Sequence, residues 1–220
     1  MPEPIKIRVF GDYALFSRPE LKVERYSYDV MTPSAARGIL DAIYYHPGLR
    51  WRVKKIFVEK PIRFTNIRRN EVSKKILATD LLSAANGADK PIFIDRREAI
   101  AQRAATVLRD VSYVIEANFD VLPEKMGRED NADKFYAIFS NRVRKGKSFT
   151  QPYFGCREFP AFFEAVSEDT NPPAPIGETR DLGIMLYDMD YSDETDIRPM
   201  FFHAVMTNGV VEVEGKEILR

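Results

Sequence analysis

The amino-acid sequence predicts an α+β protein with a ferredoxin-like (RRM-like) N-terminal domain and a smaller C-terminal antiparallel β-sheet. Two observations lead to this class. Segments of the N-terminal half follow the order strand, helix, strand, helix, strand, which is typical of half of a ferredoxin-like fold. After residue 181, strand segments follow one another without a helix, and Asn208-Gly209 is a typical hairpin turn. We therefore expect a ferredoxin-like domain with a helical extension over 1–150 and an antiparallel sheet domain over 151–220.

Three segments carry helix signals, and the first is the best defined. Thr32 is a suitable N-cap, Pro33 fits the first helical position, and Pro47 stops the helix. Three ring side chains, those of Tyr44, Tyr45 and His46, are therefore expected at its C-terminal end. The predicted helices are 33–45, 73–85 and 131–145.

Six segments have the apolar runs or alternation of β-strands. The longest, 106–121, places apolar residues such as Tyr113 and Ile115 on one face and mostly polar residues, including Glu116 and Asn118, on the other. A strand with one polar face suits the floor of a binding site. The predicted strands are 5–10, 53–64, 106–121, 158–166, 182–187 and 201–213.

Two further segments are predicted to be irregular. Residues 65–75 are polar and basic with little apolar periodicity, and we expect a loop that becomes ordered on a polyanion. Residues 167–181 contain Pro172-Pro173, Pro175 and Gly177, which favour a linker between the two domains.

The composition excludes several classes of protein. Cys156 is the single cysteine, so an internal disulfide is impossible, and two histidines add no usual zinc cluster. The chain has no apolar run of transmembrane length and no signal-peptide pattern, so we expect a soluble, cytoplasmic protein without a membrane partner. Because nucleotide-binding fingerprints are missing, we predict no cofactor. Asp110, Glu116 and Asp120 have the spacing of an ordinary strand face, and we predict no metal site.

The formal net charge is zero, but the charges are unevenly distributed. Residues 50–75 contain ten Lys and Arg against Glu59 and Glu71, whereas 158–198 contain eleven acids against Arg180 and Arg198. A basic half can neutralise phosphates in a neutral protein, so the distribution indicates a nucleic-acid partner. Solvated surface on a strand and a helix is the other explanation.

The end of the first helix could support RNA cleavage without a metal ion. Such cleavage needs a base for the 2′-hydroxyl, an acid for the leaving 5′-oxygen and a cation for the phosphorane, and it leaves a 2′,3′-cyclic phosphate. Tyr44, Tyr45 and His46 supply phenols and an imidazole within one turn. Only the imidazole has an ordinary pKa near neutrality. Aromatic core packing or RNA stacking is the other explanation of the two tyrosines.

Seven ordered blocks of the sequence resemble one family of CRISPR-associated proteins. They are GDYALF, SYDVMTPSAARGIL, AIYYHP, FTNIRRNEV, LRDVSYVIEANF, PYFGCREFP and, at 182–185, LGIM. The family is the d subtype of the Cas-five type, the pre-crRNA endoribonuclease of type I-C systems. The resemblance implies that the protein cleaves the CRISPR repeat RNA (pre-crRNA) without a metal, stays on the crRNA, and joins the other subunits of the type I-C surveillance complex.

The resemblance also implies roles for single residues. Tyr44 matches the tyrosine of the family's helix-end motif that takes part in cleavage, and His46 is the second catalytic candidate. Several members carry a lysine and a histidine on the long strand where this chain has Glu116 and Asn118. Glutamate cannot stabilise a phosphorane by charge, and Asn118 can only donate a hydrogen bond to a phosphate oxygen. Three explanations are open. Other residues perform the catalysis, with His46 as acid or base; cleavage is slow; or the protein only binds RNA.

Six basic residues are the predicted RNA contacts. Two of them are adjacent guanidiniums in a polar segment, and three lie in 145–157, where cations are interleaved with aromatic rings as in single-strand RNA contacts. The predicted set is Lys54, Arg68, Arg69, Lys145, Lys147 and Arg157, and the interleaved rings are Phe149, Tyr153 and Phe154.

Two alternatives to a repeat-specific ribonuclease stay open. A non-catalytic subunit that grips the 5′ handle of the crRNA is favoured by Glu116 and Asn118. A general binder of double-stranded nucleic acid, including double-stranded DNA, predicts no preference for the repeat and an affinity that falls steeply with salt. The remaining titratable candidates have structural explanations: Cys156 as a half-buried thiol and His203 as a hydrogen-bonded strand histidine.

Overall fold

The computed structural model describes residues 4–21, 24–89, 91–166, 174–193 and 195–220, in which nine strands and three α-helices are formed. The strands are β1 Ile5–Ala14, β2 Arg25–Tyr26, β3 Leu49–Val58, β4 Phe64–Val72, β5 Ile100–Val121, β6 Phe162–Ala165, β7 Arg180–Asp190, β8 Arg198–Thr207 and β9 Val210–Glu212. The helices are α1 Pro33–Ile43, α2 Ala78–Ala85 and α3 Ala132–Arg144, and a short 3-10 helix spans Pro123–Lys125.

All nine strands belong to one sheet in the order β6-β1-β5-β3-β9-β8-β7, with β2 and β4 paired to β5 beside this path. Every pairing is antiparallel except that of β2 with β5. A mostly antiparallel sheet with few helices confirms the predicted α+β class. No helix in the described part of the chain is long and apolar enough to cross a membrane.

The long strand β5 has two halves with different partners. Its C-terminal half pairs with β1 and β3, and its N-terminal half pairs with β4, with Leu108 opposite Phe64 and Ile100 opposite Val72. Asp110, with φ of 54°, lies where the partners change. The prediction of a strand from 106 was therefore too short, because the residues before it are held by a strand that the sequence did not reveal.

That strand, β4, corrects the prediction of a loop over 65–75. Its half-buried positions include Arg69 and Glu71, which are ionic, so no apolar alternation is visible in the sequence. Arg25 and Arg103 both pair with Glu71 across the neighbouring strands, at 3.3 Å each. Hydrogen bonds to β5 and these ion pairs define the strand. The predicted strand 53–64 was wrong at its end for a related reason, since β3 ends at Val58 and Pro61 follows in the turn before β4.

Helices α1 and α3 pack against each other and against the sheet, and α1 contacts β3 and β7. The Thr32 hydroxyl accepts a hydrogen bond from the Ala35 N–H at 3.2 Å, and Pro33 begins α1 as predicted. Asn131 caps α3 in the same way through the Lys134 N–H, at 2.8 Å. Trp51 of β3 lies beneath α3, with its ring 4.6 Å from that of Phe139. The core is therefore closed by the two capped helices.

Helix α2 is shorter than predicted and begins at Ala78 instead of residue 73. It has no buried residue and lies in the connection between β4 and β5. The segment before it has helix-forming residues but no core to pack against, so propensity alone did not extend the helix.

The C-terminal strands join the main sheet through β9, which pairs with β3. Asn208 and Gly209 both have positive φ, 49° and 73°, which confirms the predicted hairpin turn between β8 and β9. The predicted strand 158–166 is shorter, because only Phe162–Ala165 pairs with β1. Of the predicted linker 167–181, residues 167–173 lie outside the described residues, and the domain boundary near 150 stays a prediction.

Candidate functional site

Tyr44 lies at the point where α1 ends. Its backbone is extended (φ −147°, ψ 111°), its N–H bonds to the Leu40 carbonyl, and its own carbonyl accepts a hydrogen bond from Trp51 Nε1 at 3.3 Å. The side chain turns toward α3, where the Phe135 ring lies 6.2 Å from it between centroids. Only 6% of Tyr44 is exposed. The phenol is therefore fixed between two helices.

Arg142 of α3 holds the end of α1. Its guanidinium lies 5.2 Å from the centre of the Tyr44 ring, and Nη1 donates a hydrogen bond to the Ile43 carbonyl at 2.7 Å. The last carbonyls of a helix lack intrahelical partners and carry partial negative charge, so a cation is favourable here. This contact places a positive charge beside the phenol.

The surroundings of Tyr44 keep its hydroxyl protonated. Burial raises the pKa of the phenol, the negative charge of Asp130 raises it further, and Arg142 and Lys134 oppose the increase. Because a tyrosine ordinarily titrates near 10, a raised pKa disfavours the phenolate at neutral pH. The Tyr44 hydroxyl is suited to donate a proton or a hydrogen bond, and unsuited to act as a base.

His46 is held by two partners beside the same helix. Nδ1 accepts a hydrogen bond from the Gly48 N–H at 3.0 Å, so the neutral ring carries its proton on Nε2, which lies 3.3 Å from Asp130 Oδ2. The imidazole also packs on Phe135, with 4.7 Å between ring centroids. The Gly127 N–H, Lys134 and His46 together lower the pKa of Asp130. Both ring nitrogens are occupied, so His46 can act as a base only after one contact is exchanged.

We call the group formed by Tyr44, His46, Asp130, Lys134, Phe135 and Arg142 the helix-end site. It combines one protonated phenol, one imidazole and two cations between α1 and α3.

Asn118 lies away from the helix-end site. It is opposite Arg52 in the pairing of β5 with β3, whereas the neighbouring pair, Trp51 and Phe119, faces the helices. Successive strand residues point to opposite faces, so Asn118 is on the sheet face that α1 and α3 leave uncovered. Glu116 is on that same face, 8% exposed, and its carboxylate pairs with Lys6 at 3.1 Å. The structure therefore brings together Tyr44 and His46 but not Asn118.

Most of the basic block at 50–75 is neutralised by acids of neighbouring strands. Lys54, one of the predicted RNA contacts, is half-buried and pairs with Glu214 at 3.0 Å. Further pairs join Arg52 to Asp120, Lys55 to Glu212 and Lys60 to Asp110. Acids on β5 and on or just after β9 thus compensate part of the basic block, and the uneven distribution along the sequence overstates the positive charge of the surface.

Arg68 and Arg69 lie on opposite faces of β4. Arg68 is exposed and makes no ion pair with any residue of the described ranges. Arg69 is half-buried, pairs with Glu158, and lies 5.0 Å from the centre of the Phe159 ring. Of the two, only Arg68 has a guanidinium available to a ligand.

The segment after α3 returns to the end of α1. The Phe149 N–H donates to the Ala42 carbonyl and the Lys147 N–H donates to the Arg142 carbonyl, each at 2.9 Å, so the backbone of this segment lies beside the helix-end site. The predicted contacts Lys145, Lys147 and Arg157 are all exposed and have no ion pair within the described part of the chain. Of the interleaved rings, Phe149 is 68% exposed, whereas Phe154 is fully buried in the core. Phe154 is therefore a packing residue and not an RNA contact.

Comparison with known proteins identifies the family. Residues 5–214 match the Cas5d family model, described as CRISPR-associated protein (Cas_Cas5). The chain belongs to the CRISPR-associated Cas5 family.

Two relatives of this Cas5 chain carry the same name, "CRISPR pre-crRNA endoribonuclease Cas5d". The chain is 46% identical over 220 residues to the one from Mannheimia succiniciproducens, covering 97% of this chain and 96% of the relative. It is 36% identical over 230 residues to the one from Thermus thermophilus, covering 97% of this chain and 92% of that relative. These matches confirm the predicted family along nearly the whole chain.

Solved structures share the fold. A structure described as "Crystal Structure of CRISPR-associated Protein" superposes with a TM-score of 0.69 at 25% identity, covering 99% of this chain and 96% of that one. A chain of a "CRISPR RNA-guided surveillance complex" gives a TM-score of 0.51 at 12% identity, covering 98% and 89%. At that identity, the likeness to the complex concerns the fold alone.

Four residues of the Cas5 helix-end site were not found from the sequence: Asp130, Lys134, Phe135 and Arg142. Asp130 follows an irregular segment, and Arg142 is one of several basic residues near the end of α3. Helical spacing could have suggested that Phe135 and Arg142, two turns apart, share a face of α3. Which helix that face meets depends on tertiary packing, and no pattern in the sequence states it.

Other titratable groups of the Cas5 chain have structural roles. Cys156 is half-buried as predicted, and burial raises the pKa of its thiol, so the reactive thiolate is disfavoured. His203 bonds to Asp181 at 2.8 Å, as predicted for a hydrogen-bonded strand histidine. Among the described residues, no group of three His, Cys, Asp or Glu could hold a metal ion.

Proposed function

We propose that this protein is a pre-crRNA endoribonuclease that binds the CRISPR repeat transcript and cuts it without a metal ion. The observation that carries the proposal is the helix-end site, where a protonated phenol, an imidazole and cations meet at one end of α1. The names of the two Cas5d relatives support the same substrate and reaction.

The proposed reaction is attack of a ribose 2′-oxygen on the adjacent phosphorus. The new O2′–P bond forms, the P–O5′ bond breaks, and the products carry a 2′,3′-cyclic phosphate and a 5′-hydroxyl. The raised pKa of Tyr44 suits it as the donor of the proton to the leaving 5′-oxygen. Arg142 and Lys147 are the cations that would stabilise the phosphorane. His46 would take the 2′-hydroxyl proton after Nδ1 leaves the Gly48 N–H.

A second candidate is a non-catalytic subunit that binds the 5′ handle of the crRNA. Three observations favour it. The Glu116 carboxylate is paired with Lys6, and Asn118 lies on the sheet face opposite the helix-end site. The third is that Tyr44 is nearly buried. This candidate keeps RNA binding through exposed cations such as Arg68 and Lys145 and predicts intact RNA. Binding of double-stranded DNA would use the same cations and would show no preference for the repeat.

The finer architecture is also a proposal. Four strands lie side by side in the sheet in the order β6-β1-β5-β3. Along the chain, α1 connects β1 to β3 and α3 lies between β5 and β6, which supports a ferredoxin-like core. We propose that 1–150 forms most of an RNA-processing domain whose sheet is completed by β6, that the rest of 151–220 forms a second domain, and that the protein stays on the crRNA as a subunit of the type I-C surveillance complex. An RNA-processing role implies work in the cytoplasm, where the transcript is made.

The deciding experiment is incubation of purified protein with labelled repeat-hairpin RNA in EDTA. A single cut that leaves a cyclic phosphate, and that disappears when the nucleotide 5′ of the cut carries a 2′-deoxyribose, supports the ribonuclease. Tight binding with intact RNA supports the handle-binding subunit. Equal affinity for an unrelated duplex of the same length contradicts both and supports a general nucleic-acid binder.

A further inference from the structure

A cleft opens beside the helix-end site, and His46 of that site is among its lining residues. It runs between the end of α1, the start of β3 and the end of β7, and its volume is about 370 Å³. We call it the α1–β7 cleft. Tyr44 points away from it into the contact with α3, whereas the next residue, Tyr45, lines the cleft and is 59% exposed. Cavities that hold one small ligand begin at about 300 Å³, so the space suits a single nucleotide unit.

A second exposed ring lines the same cleft. Tyr191 follows the end of β7 and is 56% exposed, so the cleft displays two aromatic rings that do not pack in the core. Large exposed rings are unfavourable in water, and two of them in one concave site indicate a planar partner. Nucleobases stack on such rings, and stacking tolerates any base.

The floor of the cleft is fixed by an ion-pair network. Arg37 Nε and Nη2 donate to the two Asp188 carboxylate oxygens at 2.7 and 2.9 Å, and Nη1 donates to Asp41 at 2.6 Å. These three half-buried side chains offset most of each other's charge. The floor is therefore rigid and does not itself attract phosphate, which leaves phosphate binding to the rim.

The rim carries two cations and one carboxylate. Lys125, on the 3-10 helix after β5, is exposed and has no ion pair among the described residues. Arg50 is exposed at the start of β3. Hydrogen bonds from Ser192 lower the pKa of Asp190, and the charges of Arg220 and Arg50 add to this. Asp190 accepts a hydrogen bond from the Ser192 N–H at 3.0 Å and lies 3.9 Å from Arg220. A carboxylate at the rim offers an acceptor to the N–H groups of a base edge.

We propose that the α1–β7 cleft holds one unpaired base of the repeat RNA against Tyr45 and Tyr191, with its flanking phosphates on Arg50 and Lys125. The proposal rests on the proposed function in taking RNA as the ligand, and it adds a binding site for a single base next to the place of cleavage. Tyr44 and Tyr45 then have separate tasks: the buried phenol donates at the scissile phosphate, and the exposed phenol stacks.

The test uses repeat-hairpin RNA with a 2′-deoxyribose at the cleavage position, so that binding is measured without cleavage. Tyr45→Ala and Tyr191→Ala are each expected to weaken binding by about tenfold to a hundredfold, the range for one lost base–aromatic stack. Tyr191→Phe, which keeps the ring, is expected to restore most of the affinity. Tyr136→Ala is the matched control, because Tyr136 lies on the outer surface of α3 and is 37% exposed. Thermal unfolding of each variant checks that it folds.

A second measurement locates the base. RNAs with 2-aminopurine at one unpaired position each are titrated with protein, and quenching at one position that is lost in Tyr191→Ala identifies the nucleotide in the cleft. If the wild type binds and the folded Tyr45→Ala and Tyr191→Ala variants bind with unchanged affinity, the cleft assignment alone is overturned. Wild-type protein that does not bind the hairpin overturns the proposed function and the cleft assignment together. If the wild type binds the unmodified hairpin but does not cleave it, only the ribonuclease assignment is overturned, since the affinities of the variants still test the cleft.

Discussion

Tyr44 and Arg142 are joined as ring and cation, with the guanidinium 5.2 Å from the centre of the phenol ring, and the same guanidinium bonds to the Ile43 carbonyl at 2.7 Å. Arg142 thus bonds to the last turn of α1 and also places a positive charge beside Tyr44, the candidate proton donor. We therefore expect effects on stability and effects on cleavage to be distinguishable only when Tyr44 and Arg142 are substituted in separate variants.

Tyr44→Phe removes one hydroxyl and keeps the packing against Phe135. We expect the cleavage rate to fall by a factor of about 10² to 10⁴, the usual contribution of a general acid, while affinity for the repeat hairpin stays within a few-fold. Single-turnover cleavage on a gel and a binding titration measure the two quantities. Tyr136→Phe is the control. Cleavage of the Tyr44→Phe variant at the wild-type rate would remove Tyr44 from the mechanism.

Arg142→Ala leaves the last carbonyls of α1 without their charged donor. The free energy of unfolding is expected to fall by roughly 1–3 kcal/mol, the usual cost of a lost charge-assisted hydrogen bond. The pKa of Tyr44 is expected to rise further, because Arg142 opposes its increase. Urea unfolding measures the first effect. Arg144→Ala is the control, since the side chain of Arg144 donates, within the described ranges, only to the Asn141 side chain. Equal stability of the two variants would show that the Ile43 contact contributes nothing.

The Asp130 carboxylate makes the stability of the protein depend on pH in the acid range. Its pKa is lowered from the ordinary 3.8, so its contribution is fully present above that value and is lost as the pH falls through the lowered pKa. Asp130→Asn should be less stable than the wild type at pH 7, and the difference should shrink below about pH 4. Urea unfolding from pH 3 to 7 checks this, with the exposed Asp133→Asn as control. A difference that does not change with pH would contradict the assignment.

Arg68→Ala and Arg69→Ala should have opposite phenotypes although the residues are neighbours in the sequence. Arg68→Ala is expected to weaken RNA binding and to reduce the slope of log affinity against log salt by about 0.7 to 0.9, as one lost phosphate contact does. Arg69→Ala removes the contacts with Glu158 and Phe159 and should lower stability by roughly 1 kcal/mol. Binding titrations at several salt concentrations, and unfolding of both variants, distinguish the outcomes. Equal salt slopes for both would mean that neither residue contacts phosphate.

Glu59 lies in a buried polar network on the open face of the sheet. Its Oε2 accepts hydrogen bonds from Arg8 Nε at 2.7 Å and Ser112 Oγ at 2.5 Å, while Oε1 has no partner among the described residues. Glu59→Ala should lower the free energy of unfolding by about 1–3 kcal/mol, because Arg8 and Ser112 lose their acceptor and, in the described part of the chain, only Glu164 remains for Arg8. Glu59→Gln keeps an acceptor and should cost less. Thermal unfolding of both variants provides the comparison, and equal losses would contradict the hydrogen-bond account.

The sequence permits prediction of those parts of the fold that depend on local signals. The cap at Thr32, the proline at Pro33 and the turn at Asn208-Gly209 are found as predicted, because each needs only a particular side chain at a particular backbone position. Strand β4 was missed because two of its half-buried positions, Arg69 and Glu71, are ionic, and these two interrupt the apolar periodicity by which a strand is recognised in a sequence.

The candidate site was predicted in part for the same reason. That Tyr44, Tyr45 and His46 end a helix follows from the sequence, as does membership in the Cas5 family. That Tyr44 is buried and Tyr45 exposed follows only from the position of α3, which presents Phe135 and Arg142 to one side of the helix end. Likewise, strand alternation separates Asn118 from Tyr44 only because both helices cover the other face of the sheet. Spacing along the chain fixes which residues are neighbours on one element, whereas burial, ion pairing and pKa depend on which elements pack together.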